Sequence, residues 1–199
     1  MNLVILISGG GSNMQAIVAA EKKQQWRDKL GVHVACVISN RPDAAGLDVA
    51  DRSGIATKIV DHQLFETRSL FEAELKAVID GYEPVLVVLA GFMRILTPTF
   101  VKHFAGRLIN IHPSLLPAFA GLNTHQRAID AGCTVAGATV HFVTAQVDHG
   151  RIVAQAVVPV LLGDTALSLS QRVLAQEHVL YPKAISALLA TRKTPASQC

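Results

Sequence analysis

The chain has 199 residues, 50% apolar and 17% charged, with 18 basic against 15 acidic side chains for a net charge of +3. This length suits one large domain with an ordinary packed core, and so slight a charge excess argues against a nucleic-acid partner while leaving room for a local phosphate or carboxylate pocket. Residues 1–7 are apolar but too short to cross a membrane and lack a signal peptide's basic flank, while three scattered cysteines (Cys36, Cys133 and Cys199) suggest neither a disulfide framework nor a zinc knuckle and fit a reducing cytoplasm. Apolar runs at 3–8, 32–39 and 55–61 alternate with segments of helical period at 13–26, 44–53 and 67–82. Residues 85–90 predict a fully buried strand, 98–104 a short helix, 107–112 a strand and 124–131 a helix. Strands apolar on both faces belong to a parallel sheet covered by helices on each side. After Gly132 the pattern changes: 135–143 and 151–160 are β-rich runs joined by a hairpin-like connection at 144–150. Residues 165–190 predict a closing helix that Pro182 bends or splits, and 191–199 a frayed polar end. The expected fold class is α/β, a doubly wound, mostly parallel sheet with an antiparallel strand addition near the C-terminal end.

In such sheets ligands bind beyond the carboxyl ends of the strands, which directs attention to three junctions. The first is Ser8-Gly9-Gly10-Gly11-Ser12-Asn13. Its glycines let the backbone turn closely and aim its amides, with the start of the next helix, at an anion such as phosphate. A dinucleotide fingerprint competes less well, because the sixth position of the pattern begun at Gly9 is Met14 and the second strand ends in Ser39-Asn40-Arg41 without an acidic ribose ligand. A glycine loop that only makes a tight turn remains open. The second junction is Gly91-Phe92-Met93-Arg94.

The third junction carries the chemistry. In Leu108-Ile109-Asn110-Ile111-His112-Pro113-Ser114, Asn110 and His112 alternate with apolar residues and therefore point to one face of a strand. A carboxamide able to donate to a developing oxyanion beside an imidazole that titrates near neutrality is a pair suited to acyl transfer. Asp148, in Val147-Asp148-His149-Gly150, can return a carboxylate to the same end; such a neighbour favours the charged imidazole and fixes its orientation. An ordinary turn aspartate before glycine is the alternative. His141 reads as a hydrogen-bonded strand histidine rather than a catalyst, and His33, His62 and His103 as surface or packing residues. A metal site from His112, His141 and Asp148 is disfavoured because their spacing matches no zinc pattern, and no Gly-x-Ser-x-Gly elbow supports Ser114 as a nucleophile. Trp26 reads as packing or a subunit contact.

Four blocks in order along the chain carry a family resemblance: Ile7-Ser8-Gly9-Gly10-Gly11-Ser12-Asn13-Met14-Gln15, Leu89-Ala90-Gly91-Phe92-Met93-Arg94-Ile95-Leu96, Asn110-Ile111-His112-Pro113-Ser114-Leu115-Leu116-Pro117, and Asp148-His149-Gly150. With them the chain resembles the glycinamide ribonucleotide formyltransferases, folate-dependent enzymes of purine synthesis. The resemblance implies a single domain over 1–199, with a phosphate-binding half at about 1–100 and a catalytic and folate-binding half at about 101–190. It implies a catalytic trio of Asn110, His112 and Asp148. Gly11, Ser12 and Asn13 would hold the ribonucleotide phosphate, Glu177 the ribose, and Arg68, Met93, Arg94, Ile95, Leu96 and Asn110 the folate. It further implies 10-formyltetrahydrofolate as formyl donor and cosubstrate, no metal, small-molecule partners only, and a cytoplasmic monomer or homodimer. A folate deformylase or an inactive nucleotide-binding relative is the alternative. Against deformylase stands the first strand at residue 3, which leaves no preceding regulatory domain, and against transfer to initiator tRNA the lack of a following RNA-binding domain. The chain departs from the family pattern at Ala118-Phe119-Ala120, where a basic residue and a second proline are usual, and at Arg151, where proline is usual. Altered loop mobility, with the trio intact, is the expectation.

Overall fold

The structure, a computed structural model, describes residues 1–193; of the frayed end expected over 191–199, residues 191–193 instead continue the last helix, and the rest, with Cys199, lies outside the described residues. Two compact units are formed, one by Met1–Met93 with the chain from Tyr181 onward, the other by Arg94–Leu180.

In the first unit β1 (Asn2–Ile7) carries side chains from Leu3 to Ile7 that are wholly inaccessible to solvent. Such burial on both faces is what a central parallel strand requires, and each buried aliphatic side chain contributes on the order of 2 kcal/mol. β1 pairs in parallel with β2 (His33–Ser39) on one side and β4 (Pro84–Leu89) on the other, and β2 pairs in parallel with β3 (Ala56–Ile59). The crossovers are α1 (Ser12–Gln24) with α2 (Trp26–Leu30), then α3 (Ala45–Arg52), then α4 (Arg68–Asp80), whose Thr67 cap accepts from the Leu70 amide at 3.2 Å. One helix was expected over 13–26, and the structure breaks it at Gln25, which adopts φ 56. No glycine or proline signals the break. It turns Trp26 inward to 1% exposure, with its indole N–H donating to Gln24 Oε1 at 2.9 Å, so tertiary burial overrides local propensity.

The second unit begins with α5 (Pro98–His103), which has proline at its first position and Thr97 as cap. It continues through β5 (Leu108–His112), α6 (Thr124–Asp130), β6 (Val135–Phe142) and β7 (Ile152–Pro159), with β5, β6 and β7 pairing antiparallel. Parallel strands with helical crossovers followed by this ladder give the doubly wound, mostly parallel class with an antiparallel addition that the sequence predicts. α7 (Ala166–Lys193) runs through both units' residues and is not split at Pro182. Proline removes one ladder hydrogen bond. Around it Tyr181, Ala184 and Ile185 are buried, and the Tyr181 hydroxyl donates to the Leu89 carbonyl at 2.9 Å, interactions that outweigh the lost bond.

Candidate active site

Asn110 and His112 emerge on one face of β5, and the antiparallel register sets Asn110 opposite His141 and His112 opposite Thr139 on β6. Thr139 anchors the segment that follows β5. Its hydroxyl donates to the Ser114 carbonyl at 2.7 Å and accepts from the Leu116 amide at 3.0 Å and from Gln155 Nε2 at 2.9 Å. One donor and two lone pairs are thus all used, which locks the loop's origin to β6 and β7. The Ser114 hydroxyl donates to the Ala118 carbonyl at 2.7 Å, a structural bond in keeping with the rejection of a serine nucleophile.

Asp148 reaches this face from the β6–β7 connection. Its backbone is left-handed, φ 57, which aspartate tolerates better than most residues. Two residues on, a Cβ at Gly150 would stand 1.6 Å from the Phe142 carbonyl oxygen, so only glycine lets the connection close this tightly. Asp148 Oδ2 lies 3.3 Å from His112 Nδ1 and accepts from the Gly121 amide at 2.9 Å. The other ring nitrogen of His112, Nε2, is 3.1 Å from the Phe119 carbonyl oxygen. Both ring nitrogens therefore face acceptors, an arrangement that only the doubly protonated ring satisfies fully. The two side chains are each 9% exposed, and a carboxylate so far from water persists only when it is paired or hydrogen-bonded.

The segment at 118–120 that departs from the family pattern, with Gly121 after it, closes on this pair through its backbone. Phe119, at φ 55, supplies the carbonyl to His112, and Gly121 supplies the amide to Asp148. A bulky residue at positive φ is held by surroundings rather than by preference. Here the Arg127 guanidinium donates to the Ala120 carbonyl at 2.7 Å and lies 5.5 Å from the Phe119 ring centroid. Arg151 stacks over Phe142 at 4.5 Å, and its carbonyl accepts from the Phe142 amide at 2.9 Å. Neither departure displaces a member of the trio.

His141 is where the structure adds to the sequence reading. It is a hydrogen-bonded strand histidine, as expected, but its partners are the trio itself: Nε2 lies 3.4 Å from Asn110 Nδ2 and 3.7 Å from Asp148 Oδ1, while Nδ1 is 3.0 Å from the Phe142 carbonyl oxygen. Burial pushes its pKa below the ordinary histidine value, and the charge of His112 adds to this; the Phe142 carbonyl and Asp148 pull the other way. The signal that finds it is the β5–β6 register, which a single strand's alternation does not contain.

The other candidate residues are placed as follows. In the first unit the glycine loop joins β1 to α1, with Gly11 at φ 69 and the Gly11 carbonyl accepting from the Gln15 amide at 2.8 Å. No side chain caps α1, so its first amides, those of Ser12 and Asn13 among them, are presented by an N-terminus carrying partial positive charge. α3 packs tightly against this loop: the Gly46 amide donates to the Gly9 carbonyl at 3.0 Å, and a Cβ at Gly46 would stand 2.7 Å from Ile7 Cδ1 and 2.9 Å from that carbonyl oxygen. Ser8, just after β1, ties it to the segments that follow β2 and β4, donating to Asn40 Oδ1 at 2.5 Å and accepting from the Met93 amide at 2.7 Å. Arg68 is exposed at the start of α4, and Met93 is 77% exposed. In the second unit Ile95 is exposed, Arg94 half-buried and Leu96 buried, and Glu177 is buried within α7.

A carboxamide, an imidazole and a carboxylate thus meet on one strand face of an α/β scaffold, an arrangement chemically suited to acyl-group transfer. The formyl transferase family model matches residues 1–185. The phosphoribosylglycinamide formyltransferase of Escherichia coli K12 is 50% identical over 186 residues, covering 94% of this chain and 86% of that protein. The bovine trifunctional purine biosynthetic protein adenosine-3 is 44% identical over 92% of this chain, which spans 18% of its length. Among solved structures, the phosphoribosylglycinamide formyltransferase of Coxiella burnetii superposes with a TM-score of 0.89 at 47% identity, over 96% of this chain and 88% of that one. The chain belongs to the formyl transferase family, among relatives named phosphoribosylglycinamide formyltransferase.

Proposed function

We propose that this chain transfers the formyl group of 10-formyltetrahydrofolate to the primary amine of glycinamide ribonucleotide, with Asn110, His112 and Asp148 acting at the reacting carbon. The observation that carries this reading is the meeting of Asp148 with His112 at 3.3 Å beside Asn110 on one strand face. The amine lone pair attacks the formyl carbon and the carbonyl electrons move to oxygen. The Asn110 amide and the His112 Nε2–H donate to that oxyanion, which takes over the hydrogen bond now accepted by the Phe119 carbonyl. Collapse breaks the carbon–N10 bond, and the proton lost by the amine ends on the departing folate nitrogen. Asp148 holds the ring in place and stabilises positive charge on it as the oxyanion forms.

Substrate positioning falls to the remaining residues. The amides of Gly11, Ser12 and Asn13 hold phosphate at the α1 N-terminus, Glu177 accepts from the ribose hydroxyls, and Arg68 with Met93, Arg94, Ile95 and Leu96 contacts the folate. Both substrates are small molecules. No described helix is long and apolar enough to cross a membrane.

The test follows conversion of the formyl donor spectrophotometrically with and without the ribonucleotide. Turnover that depends on the amine is expected; turnover without it means hydrolysis and overturns the reading. Asn110→Ala removes one oxyanion donor and lowers kcat roughly 10²- to 10³-fold while KM changes little.

A further inference from the structure

We infer that His141 is a positioning residue whose bare Nε2 fixes which way the Asn110 carboxamide faces, so that the amide presents an N–H rather than its oxygen to the developing oxyanion. The inference rests on the proposed formyl transfer and adds to it a fourth group, one strand away from the trio.

The argument runs from the far side of the ring. Nδ1 of His141 is 3.0 Å from the Phe142 carbonyl oxygen, a pure acceptor, so Nδ1 carries a proton. In a neutral ring that leaves Nε2 without one, and an acceptor at Nε2 can be met only by a donor. The donor available is the Asn110 amide nitrogen, 3.4 Å away. Carboxamide nitrogen and oxygen occupy nearly equivalent positions, and the hydrogen-bond network decides between them. His141 makes that decision here: one Asn110 N–H is taken by Nε2, and the carboxamide cannot flip without setting oxygen against a lone pair.

The ring must stay neutral for this to work, and the groups around it act in both directions. From β5, His112 disfavours a second positive charge, and burial does the same. From the β6–β7 connection, Asp148 Oδ1 at 3.7 Å favours it, as does the Phe142 carbonyl on its own strand. Arg151 lies over the neighbouring Phe142 ring. Protonation of Nε2 would do two things at once. It would turn the Asn110 amide round, and it would draw Asp148 away from His112, with which the carboxylate makes its shorter contact of 3.3 Å. A neutral His141 thus also keeps Asp148 committed to His112.

Two measurements test this. Long-range proton–nitrogen NMR of the full chain, labelled at histidine, reads the tautomer directly: the expected state at the pH of activity is Nδ1 protonated and Nε2 bare. A ring protonated at Nε2 there overturns the inference. In kinetics, His141→Leu lets the carboxamide rotate and lowers kcat roughly 10- to 100-fold, a share of what an oxyanion donor supplies, with both KM values nearly unchanged. His141→Gln, whose side-chain oxygen accepts where Nε2 did, recovers most of that loss. Unchanged kcat in a folded His141→Leu, or no recovery in a folded His141→Gln, overturns it. A wild-type chain without amine-dependent transfer would sink the proposed activity instead, and the NMR result would still decide the orientation of Asn110.

Discussion

The Asp148–His112 contact offers the sharpest quantitative test of the catalytic proposal. Asp148→Asn keeps the shape of the side chain and an oxygen that accepts from the Gly121 amide, and removes only the negative charge 3.3 Å from His112 Nδ1. At that separation the Coulomb attraction at an effective dielectric of 20 is about 5 kcal/mol, an upper figure. Charge-assisted hydrogen bonds contribute about 1.5–3 kcal/mol net in proteins, and with both side chains 9% exposed the upper end applies. A loss of about 3 kcal/mol in the transition state is a kcat lowered roughly 150-fold. The same value is expected for His112→Asn, because Asp148 acts through His112 and not on the substrate. The double variant therefore falls by little more than either single change. Steady-state formyl transfer with saturating folate and ribonucleotide gives all four corners of the cycle. If the double variant instead shows the product of the two losses, on the order of 10⁴-fold, the two residues act independently and the proposed division of labour is wrong.

Three further outcomes follow from particular contacts. Gly46→Ala pushes a methyl toward the Gly9 carbonyl oxygen and Ile7 Cδ1, so the glycine loop shifts; KM for the ribonucleotide rises several-fold while KM for the folate holds, and equal changes in both would refute the loop's assigned role. Gly150→Ala meets the Phe142 carbonyl oxygen at 1.6 Å, so the β6–β7 connection must open; a lowered Tm and lost transfer are expected, and a stable, active variant would show that the closure is not required. Asp164 accepts from Arg172, the Leu161 amide and Ser168, contacts that hold its carboxyl well below the usual carboxylate range. A carboxylate with a depressed folded-state pKa stabilises above its unfolded value and loses that contribution as pH falls. Asp164→Asn therefore lowers Tm at pH 7, and its deficit against wild type shrinks below the ordinary carboxylate value of 3.8. A deficit that is the same at pH 7 and in acid would remove the ionic explanation.

Periodicity made the strands and most helices legible because near-continuous burial along β1 and β6 leaves a direct mark in their apolar runs. The break at Gln25 left none: the Lys22-Lys23-Gln24-Gln25 run has ordinary helix formers, and only the core's demand for Trp26 turns the chain. Pro182 is the opposite case, a strong local signal for interruption that the packing of Tyr181, Ala184 and Ile185 overrides. At the site, Asn110 and His112 were legible as a pair because two polar residues at strand spacing in an apolar run have no packing purpose. Asp148 was legible as a candidate by type and turn context. His141 carried the same kind of signal, a polar residue in an apolar strand, but its meaning lies in which residue of β5 it faces, and register across two strands is a tertiary fact.

The loop at 118–121 shows why departures from a family pattern need not disturb chemistry. Its two contacts with the trio, Phe119 carbonyl to His112 and Gly121 amide to Asp148, are made by backbone groups that every residue except proline at the amide position can supply. What the side chains must do is hold that backbone, and the Arg127 guanidinium does so by donating to the Ala120 and Leu122 carbonyls and flanking the Phe119 ring. The constraint on this segment is thus its path rather than its composition. In the proposed mechanism the Phe119 carbonyl also occupies the donor that the oxyanion would take, so the proposed transfer requires the loop to yield that bond, at a cost of about 1 kcal/mol that the charged oxygen more than offsets.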